Sequence, residues 1–255
     1  MRANFSRLFI PVLIAAVAFS CNKTDDLTSE PLSDYMPLQT GKFITYRLDS
    51  TVFVDFNTVA ETHYYQEKHI IDIPVPDALG RPSFRVFRYI RDSAGSLPWS
   101  PAGSYFLTPT GKTIEKIENN LRFVKLSLPL KEEFSWNPNH FLPDNPLRAL
   151  YSFQNDGDME MDDWNAYYSS IGETDTLRGK IIHDVVTVNG VDRFENIPIN
   201  VNVYASVDHQ LDKYAKGIGL VYQEWAMWDF QPPHDNIPSA QKHGFIIKRT
   251  MIDHN

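Results

Sequence analysis

Alternation of apolar and polar residues is the clearest pattern along this chain. Between Phe43 and Phe53 the apolar side chains fall on one side of an extended backbone and the polar ones on the other, which is the period of a half-buried strand. Runs rich in aromatic and β-branched residues predict further strands at Thr62–Ile73, Phe84–Asp92, Leu121–Leu128, Leu177–Val188, Ile197–Val207, Ile218–Phe230 and Phe245–Ile252. Seventeen prolines and twelve glycines favour many turns and disfavour long helices.

Turn signals and one helical pattern complete the predicted fold. Asn189-Gly190 predicts a hairpin turn. Gly217-Ile218-Gly219 predicts a tight corner and not a phosphate-binding loop, because a strand-like run follows where a helix would be needed. One short helix is predicted near 162–171. The expected fold class is therefore mainly β and antiparallel, as a curved sheet, a half-barrel or a sandwich.

The first residues have the three parts of a secretory signal. Arg2 and Arg7 precede an apolar stretch, Leu8–Phe19, and small residues follow before Cys21. Twelve residues are too few to span about 30 Å of hydrocarbon as a helix. The predicted organisation is a signal peptide at 1–20, a flexible acidic tether at 21–34 and a single β-rich domain at 35–255.

Cys21, the only cysteine, ends a segment, Val17–Cys21, that resembles a bacterial lipobox. The resemblance implies lipidation of Cys21 and attachment to the membrane through that lipid. The acidic run Asn22–Asp26 resembles the export signal of surface lipoproteins of Bacteroidota, although a generic solvated tether explains it equally well. The expected location is the outer membrane, with exposure at the cell surface.

Three further segments resemble a family of uncharacterised Bacteroidota surface or outer-membrane lipoproteins. They are Tyr35–Tyr46, Tyr214–Tyr222 and Gly244–Asn255. The resemblance implies a secreted β-rich domain, built as a curved sheet or half-barrel, and it brings no assigned activity.

Charge and cysteine content exclude several classes of function. Residues 1–20 carry two arginines and no acidic residue, so their removal changes the net charge from −8 to −10. Such a chain is a poor ligand for nucleic acid or for anionic lipid headgroups. With Cys21 acylated, the domain has no disulfide and no thiolate metal ligand.

Motifs for catalysis or metal binding are weak. The acidic residues Asp156, Asp158, Glu160 and Asp162 are a weak candidate calcium site, because they lack the EF-hand pattern and are better explained as a solvated edge segment. The sequence contains no His-Glu-x-x-His and no Gly-x-Ser-x-Gly. We therefore predict no catalytic residue and no cofactor, and do not expect an enzyme.

The remaining candidate is an aromatic residue in a long irregular segment. Trp136 lies beside Asn137, Asn139 and His140, a combination that could stack on and hydrogen-bond to a sugar, although large aromatic side chains more commonly fill the core. The leading interpretation is a non-enzymatic binding or accessory lipoprotein, with a polysaccharide or an envelope protein as partner. The alternatives are a half-barrel carrier of an apolar ligand and an envelope hydrolase whose site has no recognisable motif.

Overall fold

The computed structural model of the chain describes residues 30–148, 150–151, 153, 160–234 and 237–255. Within them, twelve antiparallel strands form one sheet in the order β6-β5-β4-β3-β2-β1-β12-β11-β10-β9-β8-β7. This confirms the mainly β, antiparallel class and selects the curved sheet over the sandwich. A short helix, α1 (Leu32–Tyr35), precedes the strands. The strands are β1 (Phe43–Val54), β2 (Val59–Pro76), β3 (Pro82–Asp92), β4 (Ser100–Pro109), β5 (Thr113–Glu118), β6 (Leu121–Ser127), β7 (Ser135–Trp136), β8 (Ala166–Leu177), β9 (Lys180–Glu195), β10 (Ala205–Ala215), β11 (Gly219–Gln231) and β12 (Gln241–His254).

The two outer strands of the sheet meet, so that the sheet is nearly closed and barrel-shaped. The Val124 N–H of β6 donates to the Pro138 carbonyl at 2.7 Å, and the Trp136 indole donates to the Val124 carbonyl at 3.1 Å. The Tyr168 hydroxyl donates to the Ser127 carbonyl at 2.7 Å and accepts the Ser127 N–H at 2.9 Å. Because strand side chains alternate, every second residue faces the enclosed space, which we call the lumen.

Different segments cover the two ends of the lumen. Residues 30–42 cross the end where β1 begins, and Leu32 and Tyr35 are buried there in an apolar cluster with Leu126 and Tyr168. We call this the N-terminal end. The described residues of the connection between β7 and β8 cover the opposite end, which we call the cap end. Its apolar residues pack against the sheet in a second cluster that includes Leu142, Leu147, Met161, Trp164, Val191, Met227 and Phe245.

One turn prediction and one strand prediction near residue 190 are wrong. The chain passes through Asn189-Gly190 without turning, and the turn that precedes β9 lies at Arg178-Gly179, both with positive φ. Gly190 lies instead beside a register shift in the pairing of β9 with β10. Residues 196–204 form a connection and not a strand, with the side chains of Ile197, Val201 and Val203 exposed. The alternation of residues 197–203 thus belongs to a loop.

The helix predicted near 162–171 is limited to a 3₁₀ helix at Met161–Asp163. From Ala166 onward the chain is strand β8, where Tyr168 is fully buried, so pairing with β9 overrides the helical spacing of the aromatic residues. Of the segment predicted as a tether, 21–34, Leu32 is buried within the domain, and residues 21–29 lie outside the described residues. The signal peptide and Cys21 lie outside the described residues.

The corner predicted at Gly217-Ile218-Gly219 is confirmed as the hairpin between β10 and β11. Gly217 and Gly219 have φ of 75° and 114°. A Cβ on Gly219 would lie 3.2 Å from Cδ1 of Ile44. Both the left-handed conformation and the close approach therefore favour glycine.

Candidate ligand-binding site in the lumen

A layer of charged side chains crosses the middle of the lumen, between the two apolar clusters. It consists of Glu67 of β2, Arg88 of β3, Lys116 and Glu118 of β5, Lys125 of β6, Asp212 of β10 and Arg249 of β12. Several of these residues share a strand face with buried apolar ones, as Arg88 does with Val86 and Arg249 with Met251. We call this set, together with Gln223 of β11, the ionic layer.

One half of the ionic layer is a chain of short polar contacts that starts at β2. Arg249 donates through Nε to Glu67 at 2.6 Å and through Nη1 to Gln223 at 2.6 Å. Gln223 donates to Asp212 at 2.8 Å, and Nζ of Lys125 lies 2.6 Å from the other oxygen of Asp212. The contacts therefore run across the lumen and end at Lys125.

The other half of the layer also starts at Glu67 and ends at a lysine. Nη1 of Arg88 lies 3.7 Å from Glu67 and 3.1 Å from Glu118. Nζ of Lys116 lies 2.6 Å from Glu118 and 4.5 Å from the centre of the Tyr105 ring. The complete layer is thus an open ring of contacts whose two ends, Lys116 and Lys125, are both cations.

The ionisation of Glu67 follows from its cationic neighbours. Burial raises the pKa of Glu67, but the charge of the Arg249 guanidinium outweighs burial and holds that pKa well below its ordinary value. Burial also lowers the pKa of His69, whose Nδ1 lies 3.1 Å from the Tyr105 hydroxyl. Near neutral pH we therefore treat Glu67 as charged and His69 as uncharged.

Positive charge exceeds negative charge in this layer. Four cations face three carboxylates among the described residues of the layer. Burial lowers the pKa of Lys116, Glu118 opposes that effect, and Arg249 and Lys125 lower the pKa further. Burial and repulsion by the other cations both destabilise the charged form of Lys116. A bound anion would stabilise that charged form.

Two cavities lie on either side of the ionic layer. The one toward the cap end, which we call the cap-end chamber, has a volume of about 250 Å³. Lys116, Lys125 and Arg249 form its floor; the apolar residues of its walls and roof include Leu121, Phe123, Leu147, Tyr151, Met161, Trp225, Phe245 and Ile247, and Asn119, Asn139 and Gln210 add polar groups. The cavity toward the N-terminal end is only about 60 Å³. Small-molecule sites combine apolar walls with a few placed polar groups, and the cap-end chamber has this arrangement.

The residues predicted around Trp136 hold the cap onto the sheet. The Trp136 ring packs against Tyr168, with ring centres 4.7 Å apart. Asn137 donates to the Asp162 carbonyl, and Asn139 is buried and donates to the Met161 carbonyl at 2.8 Å. Nδ1 of His140 lies 2.9 Å from the Asn137 carbonyl. Of the four residues, Asn139 borders the cap-end chamber and His140 is exposed.

The predicted calcium ligands are only partly within the structure. Asp156 and Asp158 lie outside the described residues. Glu160 lies 3.1 Å from Arg193, and Asp162 lies in the 3₁₀ helix. Among the residues that the structure describes, no group of three or more His, Cys, Asp or Glu side chains could hold a metal ion.

Sequence reasoning missed the ionic layer, although a signal for it exists. Glu67 and His69 occupy alternate positions of one strand, as do Lys116 and Glu118 of another. Arg249 falls between the inward residues Ile247 and Met251. Charged residues at the inward positions of predicted strands indicate a polar interior, because a charge that faces an apolar core would be unstable.

The partly buried carboxyl of Asp208, at the cap end, should make the stability of the protein depend on pH. It lies on the same side of β10 as Asp212, and burial raises its pKa to about 6 from 3.8, with Arg193 opposing the effect. A raised carboxyl pKa stabilises the fold at low pH, and this stability is lost as pH rises through about 6. We expect Asp208→Asn to stabilise the protein by about 1–2 kcal/mol at pH 7.5 and by much less at pH 4.

Thermal denaturation at the two pH values measures this effect. Asp253→Asn, an exposed acid on β12, is the matched control and should change stability little at either pH. An equal gain for Asp208→Asn at pH 4 and pH 7.5 would contradict the burial of this carboxyl.

No helix in the described part of the chain is long and apolar enough to cross a membrane.

Comparisons with known proteins assign no function to this chain. No protein-family model and no curated protein sequence matches the chain significantly. A candidate exported protein with a YmcC-like fold from Bacteroides fragilis is 10% identical, with 85% of this chain and 96% of that chain covered and a TM-score of 0.33. LprF from Mycobacterium bovis is 10% identical, with 87% and 89% covered and a TM-score of 0.22. At these scores the likeness transfers no function to this chain.

Proposed function

We propose that the protein is a non-enzymatic binding protein of the cell envelope that holds a small amphipathic molecule in the cap-end chamber. The observation that carries the proposal is a chamber of about 250 Å³ with apolar walls and a charged floor. The ionic layer beside the chamber buries seven ionisable groups. Burying charged groups is costly even when they are paired, so a stable core alone does not require them.

The chamber favours the carrier alternative over a polysaccharide-binding protein. A cavity of this size lies near the lower end of the range for small-molecule sites and cannot enclose a polymer. The stacking partner predicted for a sugar, Trp136, packs against Tyr168. The proposed carrier differs in one respect from the apolar-ligand carrier predicted from the sequence. The floor of its site is ionic and not apolar.

Attachment to the outer membrane through a lipid on Cys21, with exposure at the cell surface, remains part of the proposal. It rests on the signal-like residues before Cys21. In the structure, Glu30 and α1 lie at the N-terminal end, which is opposite the cap-end chamber. Mass spectrometry of the N-terminal peptide of the native protein tests for the lipid.

Filling the chamber should abolish ligand binding. Ile247 lines the chamber, whereas Ile246 faces the other side of β12. We expect the neutral fluorescent probe N-phenyl-1-naphthylamine to brighten on binding the wild-type protein. Ile247→Trp should remove most of that increase, since the larger side chain occupies the probe's space, while the matched control Ile246→Trp should retain it.

The far-ultraviolet circular dichroism spectrum establishes that each variant is folded before titration. Equal probe binding by the two folded tryptophan variants, or no binding by the wild-type protein, would contradict a ligand site in the chamber.

A further inference from the structure

We infer that the ligand is an acidic amphiphile, whose carboxylate or phosphate head group binds between Lys116 and Lys125 on the floor of the cap-end chamber. This inference rests on the proposed function and specifies the chemistry of the ligand. The geometry points to it because the ring of contacts in the ionic layer is open at one place, between these two lysines.

The three carboxylates of the layer are already shared among its cations. Glu67 contacts Arg249 and Arg88, and Glu118 contacts Arg88 and Lys116. Asp212 contacts Lys125 and also accepts a hydrogen bond from Gln223. No fourth carboxylate joins the two lysines among the described residues of this layer. One more negative charge would balance the layer.

The two lysines are placed so that one ligand can reach both. Lys116 and Lys125 lie on β5 and β6, which are paired neighbours in the sheet, and both line the cap-end chamber. Each ammonium group has three N–H donors, and the short ion pair of each lysine is to one carboxylate. Further donors can therefore bind an anion without breaking the contacts to Glu118 and Asp212.

A second observation points to an unfilled polar requirement on the same floor. Within the described residues, Nε of Arg88 is buried and has no hydrogen-bond partner, and Arg88 also lines the chamber. Buried donors are almost always paired, and an unpaired one destabilises the fold. An acidic group, or a water molecule held by it, would supply the missing acceptor.

The rest of the chamber suits the apolar part of such a ligand. Trp225 and Phe245 lie edge to face with ring centres 5.0 Å apart, and Ile247 and Leu147 lie beside them in the chamber wall. An acyl or aryl group packed there would place its acidic end on the ionic layer. A cationic amphiphile of the same length would meet an excess of positive charge.

Three ten-carbon probes that differ only in the head group test the inference by isothermal titration calorimetry at pH 7.5. We expect the purified protein to bind decanoate at least about tenfold more tightly than decanol, since hydrogen bonds to a charged group are stronger than those to a neutral hydroxyl. Decylammonium should bind more weakly than either.

Lys116→Met removes one end of the open ring while keeping most of the side-chain volume. We expect it to weaken decanoate binding about tenfold and to leave decanol binding within about twofold. Lys116→Arg, which keeps the charge, should retain the preference for decanoate. Lys248→Met is the matched control, because Lys248 lies on the outer face of β12, 3.7 Å from Glu224.

The outcomes separate this inference from the proposed function. Equal affinities of the wild-type protein for decanoate and decanol would overturn the acidic ligand but leave the chamber as a binding site. Failure of all three probes to bind would overturn both. If Lys116→Met does not fold, the comparison of probes on the wild-type protein still decides the question.

Discussion

Replacing Arg249 by methionine should lower the free energy of unfolding by about 3–5 kcal/mol, because it leaves a buried carboxylate without its main partner. The side chain of Glu67 is 3% exposed and that of Arg249 is 11% exposed, at a distance of 2.6 Å. The substitution also removes the donor to Gln223 and so separates the two halves of the ionic layer.

The stability lost in Arg249→Met should be larger at neutral pH than at low pH. Arg249 holds the pKa of Glu67 below its ordinary value against the effect of burial. A lowered carboxyl pKa stabilises the fold above the pKa of the unfolded chain, and this stability is lost as pH falls through the folded value. The difference between wild type and Arg249→Met should therefore be largest near neutral pH and smaller below about pH 4.

Urea denaturation measures the loss, and an exposed pair provides its control. Arg47 lies 2.7 Å from Asp49, with 40% of its side chain exposed. Arg47→Met should cost less than about 1 kcal/mol, as surface ion pairs do. Similar losses for the two variants would mean that the ionic layer is not desolvated.

Gly244→Ala should destabilise the protein by about 4 kcal/mol or more, or prevent folding, because no space exists for a methyl group. A Cβ on Gly244 would lie 2.1 Å from the Met227 carbonyl oxygen and 2.8 Å from Cα of Trp228. Both atoms belong to the backbone of the paired strand β11, so a side-chain rotation cannot relieve the clash. Gly244 also has a φ of 116°, which other residues rarely adopt.

A glycine with positive φ and open surroundings separates the clash from backbone strain. Gly172 has a φ of 75°, and a Cβ there would meet nothing within 4 Å. Gly172→Ala should therefore cost only about 1–2 kcal/mol. Thermal denaturation compares the two variants, and equal shifts in Tm would show that β11 moves aside at Gly244.

Sequence patterns predict those strands that bury one face against apolar neighbours. The alternation in β1 and the aromatic and β-branched runs of β2, β3, β6, β11 and β12 suffice for this. The patterns fail for β4, which includes Pro101 and Pro109, and for β5, whose inward residues include Lys116 and Glu118. In a strand of six residues, two charged inward positions leave too few apolar residues for alternation to be recognised.

The candidate site could not be assembled from sequence for a related reason. Glu67 and Arg249 are 182 positions apart, and they meet because β2 and β12 both flank β1 in the sheet. Local patterns contain no information about such a pairing. Trp136 is a second example, since its contact with the Tyr168 ring follows from the pairing of β7 with β8 and not from the residues around it in the sequence.

The contacts that join β6 to β7 and β8 have a consequence for solubility. The outer edge of a strand offers unpaired amide groups on which another chain can add a strand and begin a fibril. On β6, the groups of Val124 are taken by the Pro138 carbonyl and the Trp136 indole, and those of Ser127 by the Tyr168 hydroxyl. The side chains of Trp136 and Tyr168 thus bind edge groups of β6 that could otherwise pair with a strand of another molecule.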